Sequence, residues 1–218
     1  MKTNQDYKNA ALAALKGNWA QAVLATIIYI AVAGSVGLLG EVADPQLFPK
    51  GVILLMTGST LLVSLIILLP LEVGFYNTYK ELLRNGDGAV AGNMVKLAIA
   101  TYAKNVLGMF LVSLYTFLWM LLFIIPGLIK SFSYAMTPFI LVDNPELSAN
   151  QAIDLSRAMM KGRKFDLFWL VLSFMGWILL GILTFGVGLL WVIPYMYTSM
   201  ASFYEDVKAD YEQKTSNN

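Results

Sequence analysis

The chain has 218 residues, of which 58% are apolar and 13% charged, and its mean hydropathy is +0.64. Soluble domains run nearer about 45–50% and about 25%, so water is a poor solvent for this composition and a bilayer a good one. The net charge of +1 excludes a strong field for nucleic acid. The absence of cysteine and histidine removes disulfides, thiolate chemistry, the usual general base and the commonest metal ligands.

In residues 1–18, Lys2, Lys8 and Lys16 stand against Asp6. Ala10, Ala11, Ala14 and Leu15 share one face of a short helix suited to the headgroup region. Trp19 to Gly40 is uncharged and long enough for one span at roughly 20 residues. Ala31-Val32-Ala33 before Gly34 resembles a signal-peptide cleavage site. The segments that follow are themselves spans and supply a hairpin partner, which favours a retained helix. A polar break at Glu41, Asp44, Pro45, Pro49 and Lys50 precedes Gly51 to Leu71, again of span length and containing Pro70. Glu72 follows at once. Phe75, Tyr76, Tyr79 and Lys80 suit an interfacial belt, and Gly86-Asp87-Gly88 ends the helix.

Residues 93–104 are amphipathic and lead into an apolar block, 105–142, interrupted only by Lys130. A second block, 167–204, has no charge. Each has 38 residues, about 57 Å as a straight helix and nearly twice a ~30 Å hydrocarbon core. Each block therefore predicts a helical hairpin. The second turns at Thr184 to Gly188, and the first is placed near Leu118 to Phe123. Between the blocks, Asn144-Pro145-Glu146 reads as a helix start: an Asn cap, proline in the first turn and an acid at the positive end. A helix over 145–161 puts Ala149, Ala152, Ile153, Ser156 and Met160 on one face, with Asp154, Arg157 and Lys161 elsewhere. Gly162 stops it.

Three proline-centred segments resemble one another: ILLPLEVGFYNTY (67–79), FIIPGLIKSFSYA (123–135) and WVIPYMYTSMASFY (191–204). Each follows a basic amphipathic lead and a span. The fold class expected is all-α: a polytopic membrane helical bundle of about six transmembrane helices, arranged as three hairpin repeats with interfacial amphipathic helices. It forms a single domain, 1–218, with repeat-like units at about 1–84, 93–142 and 145–206. Six spans place 14 of the 15 Lys and Arg residues on one side, leaving Lys50 alone on the other. The positive-inside rule then puts both termini in the cytoplasm. A five-span alternative, with 105–142 as one kinked helix, sends Lys161 to Lys164 outside against that rule.

Glu72 and Lys130 are the ionisable groups nearest membrane depth, where a central charge costs about 2.5–3.5 kcal/mol on insertion scales. Either they pair or line a polar cavity for a substrate or proton, or they snorkel to the nearby interface. Pro70, Pro126 and Pro194 are helix-break candidates, which can frame a midplane site or serve structure alone. Lys161, Arg163 and Lys164 are candidates for anionic lipid, at roughly 1 kcal/mol per charge, or are topology determinants only. Lys130-Ser131 and Ser133 give too little for a nucleophile, and no phosphate loop or metal-ligand spacing occurs. No enzymatic activity, cofactor or metal is expected.

The stretches IIPGLIKSFSYAM, DNPELSANQAIDLSRAMMKG, LFWLVLSFMGW and GVGLLWVIPYM resemble the bacterial integral membrane proteins grouped as domain of unknown function 975. The likeness is strongest over residues 120–205, and the first hairpin matches in outline. It implies a polytopic protein of the bacterial cytoplasmic (inner) membrane and supplies no activity or functional residue. A more distant likeness to membrane domains attached to some glycerophosphodiester phosphodiesterases implies work near lipids. The function expected is a non-enzymatic module that organises membrane lipids or a membrane-protein partner, a second copy of the chain included. The alternative is a small transporter or lipid flippase with a path framed by proline-broken spans; an intramembrane enzyme ranks last.

Overall fold

The computed structural model describes residues 2–41, 46–86 and 88–216; Asp44, Pro45 and Asp87, assigned above to turns, lie outside them. Among the described residues there are twelve α-helices and no strand. Helix α1 (Asn4–Leu15) starts on a capping box, in which Thr3 Oγ1 accepts from the Asp6 amide and Asp6 accepts from the Thr3 amide. It buries Tyr7, Ala11 and Leu15, one residue per turn. Gly17 at φ +85° turns the chain into α2 (Trp19–Glu41).

Helix α3 (Lys50–Val63) passes through one π turn, Ser64–Leu68, into α4 (Leu69–Asn85). Pro70 therefore distorts this long helix without ending it. Its ring leaves a carbonyl one turn back without an amide, and Tyr102 Oη donates 2.7 Å to the Ile66 carbonyl. Helices α5 (Val90–Ala100) and α6 (Tyr102–Leu122) meet at Thr101, where Asn105 Nδ2 donates to the Leu97 and Ala98 carbonyls at 3.3 and 3.1 Å. Phe123 is extended (φ −157°, ψ 139°) and breaks the first 38-residue block within the expected window. Pro126 sits in the first turn of α7 (Ile124–Tyr134), where its missing amide costs nothing. The arms then close at once: a Cβ on Gly127 would lie 2.9 Å from Met120 Cα. A short turn leads into α8 (Thr137–Asp143).

The helix expected over 145–161 is shorter. It is α9 (Ala149–Met159), capped by Ser148 with a reciprocal bond from Gln151, while Asn144-Pro145-Glu146 form the turn before it. A serine followed three residues later by glutamine satisfies two amides, which the Asn-Pro start cannot match. The expected buried face is present, with Met159 added to it. The helix ends before Gly162, with its C-cap at Met160, and Gly162 at φ +83° lies in the turn that follows. Helices α10 (Lys164–Leu172) and α11 (Met175–Leu183) are separated at Ser173-Phe174, where Lys8 Nζ donates 3.1 Å to the Ser173 carbonyl. The expected turn spans residues 184–188, and α12 (Leu189–Ser216) completes the chain. Pro194 does not break α12. It falls in the second turn, where one amide bond is lost and the rest of the ladder continues.

Helix α4 is central, touching α1, α2, α5, α6, α8 and α12. Gly74 allows the closest approach, since a Cβ there would meet the Met94 carbonyl oxygen at 2.0 Å. One buried cluster includes Met136, Phe139, Leu170, Phe203 and Tyr204; another includes Leu15, Phe75, Tyr79, Leu82 and Met94. The ends of α4 and α8, the starts of α6 and α10 and the middle of α12 meet through polar contacts at one end of the bundle. Leu54, Leu55, Leu121, Leu122, Leu183 and Phe185, near the opposite turns, are each more than 60% exposed. Hydrocarbon solvates such side chains as well as a protein core does. Among the described residues, five helices are long and apolar enough to cross a membrane: Trp19–Leu38, Lys50–Asn85, Tyr102–Leu122, Ile124–Asp143 and Lys164–Leu183.

Candidate functional site

The polar end is organised around Asp143, the carboxylate that closes α8. It accepts from Arg84 Nη1 and Nη2 at 3.0 and 2.6 Å, from Tyr204 Oη at 2.9 Å, from Lys208 Nζ at 2.9 Å, and from Lys80. Arg84 Nε also donates 2.7 Å to Glu205. The Asp143 side chain is 5% exposed and that of Lys80 is fully buried. Three cations facing two carboxylates leave a local charge of +1. An isolated charge would not survive such burial, and the bidentate arginine fork and added donors offset the desolvation.

A second knot holds Arg163, at the turn between α9 and α10. Its Nη2 lies 2.8 Å from Asp206 and donates to Tyr7 Oη at 3.2 Å, and Tyr7 donates 2.8 Å to the same carboxylate. Nε makes an ion-pair contact with Asp166 at 2.9 Å, outside hydrogen-bond alignment, and Nη1 stands 3.6 Å from Asp210. Burial alone would raise the Asp206 carboxyl, but the bonds from Arg163 and Tyr7 hold it below its ordinary value. Burial would likewise lower Arg163, and Asp206 more than reverses it. Burial and Asp206 together push the Tyr7 hydroxyl well up. Arg163, expected to face lipid beside Lys161 and Lys164, is therefore an internal tie between α1, α10 and α12. A guanidinium near three carboxylates is better solvated by them than by water.

Four cations outside the two knots, Lys130, Arg157, Lys161 and Lys164, line one groove. A cavity of about 500 Å³ is bounded by Trp119, Lys130, Tyr134, Asp154 and Arg157, among others. A second, of about 380 Å³, shares Lys130, Asp154 and Arg157 and adds Lys161 and Lys164. Only Arg157 has an ion-pair partner there among the described residues: Asp154, at 2.7 Å. Four cations and one carboxylate leave +3. Lys130 Nζ stands 4.5 Å over the Trp119 ring. Lys164 also borders an apolar furrow of about 230 Å³ containing Ile125, Ile129, Phe132 and Phe168.

Glu72 and Lys130 are not brought together, and no ion pair among the described residues includes either. Glu72 lies eight residues before Lys80, about 12 Å further along the helix from the polar end. Its electrostatic neighbours are Tyr29, Tyr76 and Tyr197. Lys130 instead joins Arg157 and Lys164 at the groove. Two features escaped the sequence reading: the Asp143 knot and the membership of Arg157. The first had a signal. Lys80 and Arg84, and Tyr204 and Lys208, are each spaced i, i+4 on one helix face, beside a lone acid ending an apolar block.

No curated protein and no solved structure gives a significant match to this chain. A family model does, over residues 50–211, which begins at the second arm of the first hairpin and takes in the Asp143 knot and the whole groove. The chain belongs to the family described as protein of unknown function (DUF975).

Proposed function

We propose that this is a non-enzymatic bacterial inner-membrane module whose basic end organises anionic lipid. The apolar part of α12 serves as a sixth span beside the five long helices, so that three units of amphipathic helix and hairpin repeat along the chain. Both termini then share the basic, cytoplasmic side. The observation that carries the reading is the groove of uncompensated cations, Lys130, Lys161 and Lys164, opening beside a lipid-accessible apolar furrow. Lysines held at the end of a bundle attract anionic headgroups at about 1 kcal/mol each. The test is electron spin resonance of spin-labelled lipids with the protein in vesicles. Labelled phosphatidylglycerol is expected to be immobilised in preference to phosphatidylcholine, and the preference should fall in high salt. Equal immobilisation of both lipids at low salt refutes the reading.

A second reading, a small transporter or flippase, draws on Glu72, a carboxylate faced by three tyrosines inside the bundle. Proteoliposomes test it. Proton, cation or lipid flux abolished by Glu72→Gln favours transport, and no flux above empty vesicles removes it.

A further inference from the structure

The grooves are not separate features. Lys164 lines both the cationic cavity and the apolar furrow between α7 and α10, and so stands at their junction. One end of this joined cleft is charged +3 and the other has no polar lining beyond the stem of Lys164. That is the shape and polarity of one phospholipid. We propose that the cleft is a discrete binding site for a single anionic glycerophospholipid, and this rests on the lipid-organising reading above. The phosphodiester lies among Lys130, Lys161 and Lys164, with Arg157 held at the rim by Asp154. One acyl chain runs along Ile125, Ile129, Phe132 and Phe168. Trp119, pinned under Lys130, closes the headgroup side.

Charge complementarity selects this occupant. A zwitterionic headgroup would bring its own ammonium into a cavity that already holds four cations, and an acidic protein segment would leave the furrow unfilled. A soluble phosphate would use the lysines but gain nothing from the furrow. The internal tie of Arg163 matters here as well. It fixes the α9–α10 turn, so that Lys161 and Lys164 point from a braced corner rather than a free loop.

Native mass spectrometry of the detergent-solubilised protein, titrated with phosphatidylglycerol or phosphatidylcholine, tests the site. One phosphatidylglycerol is expected to bind with clear preference. Each lysine changed to Gln should weaken it about fivefold, and Lys130→Gln/Lys161→Gln/Lys164→Gln together on the order of a hundredfold. The control Lys2→Gln/Lys16→Gln/Lys96→Gln removes the same charge from exposed positions elsewhere and should leave the preference intact. Phe168→Ser should weaken the lipid without affecting glycerol phosphate. If the control triple weakens binding as much as the groove triple, attraction is a diffuse field; the discrete site is then overturned while the lipid-organising reading stands. Glycerol phosphate binding as tightly as the lipid also overturns the site. If the groove triple unfolds, the three single variants carry the same comparison.

Discussion

Replacing Asp143 by Asn keeps the shape and one acceptor of the side chain and removes its charge. Lys80 is then left fully buried with no carboxylate in contact, while Arg84 and Lys208, each 30% exposed, retain water. Screening discounts the two exposed partners, so the loss is set chiefly by the Lys80 ammonium. Removing one partner of a buried pair costs about 3–5 kcal/mol. At about 2–4 °C per kcal/mol for a chain of this size, the melting midpoint should fall by roughly 10 °C. Far-UV circular dichroism of the detergent-solubilised protein measures it. The paired change Lys80→Met with Asp143→Leu should recover most of the loss, because an apolar pair of similar volume carries no desolvation cost. An Asp143→Asn midpoint within about 2 °C of the parent would refute the reasoning, as would a double variant less stable than the single.

Three further outcomes follow from the same geometry. Asp206 is held below its ordinary 3.8 in the folded state, so its stabilisation is present above that value and is lost as pH falls through the lower folded one. The melting midpoint should drop as pH is lowered below about 4, and Asp206→Asn should flatten that drop; an unchanged slope is the adverse result. Gly74→Ala, with backbone only 2.0 Å from the new methyl, should destabilise the α4–α5 contact by about 1–3 kcal/mol. Gly92→Ala, where nothing lies within 4 Å, should stabilise by about 0.5–1 kcal/mol, so shifts of the same sign would contradict the packing. Because the chain has no cysteine, single cysteines report sidedness cleanly. Phe185→Cys should react with an impermeant maleimide in intact cells and Lys96→Cys only after permeabilisation; labelling of both from one side would sink the proposed topology.

The long helices were legible because their signal is local. Blocks of 38 uncharged or nearly uncharged residues exceed any single span, and the turns at Phe123 and 184–188 follow from that length. The start of α9 was misplaced because two adjacent cap signals competed, and Ser148 with Gln151 satisfies more amides than Asn144-Pro145. Pro70 and Pro194 looked equivalent to Pro126 in sequence. Whether a proline ends a helix depends on where its lost amide falls and on what satisfies the freed carbonyl, here a tyrosine from another helix at Ile66.

Composition and periodicity by themselves determined that the described residues are helical and where the apolar blocks turn, because each depends only on neighbours along the chain. Only the tertiary structure decided which charges are free. Lys161, Arg163 and Lys164 lie within four positions of one another, yet Arg163 points inward to carboxylates on α10 and α12 while the two lysines line the groove with Lys130, more than thirty positions away. A side chain's partners are chosen by three-dimensional proximity and by the cost of burying charge, and neither is written in local sequence.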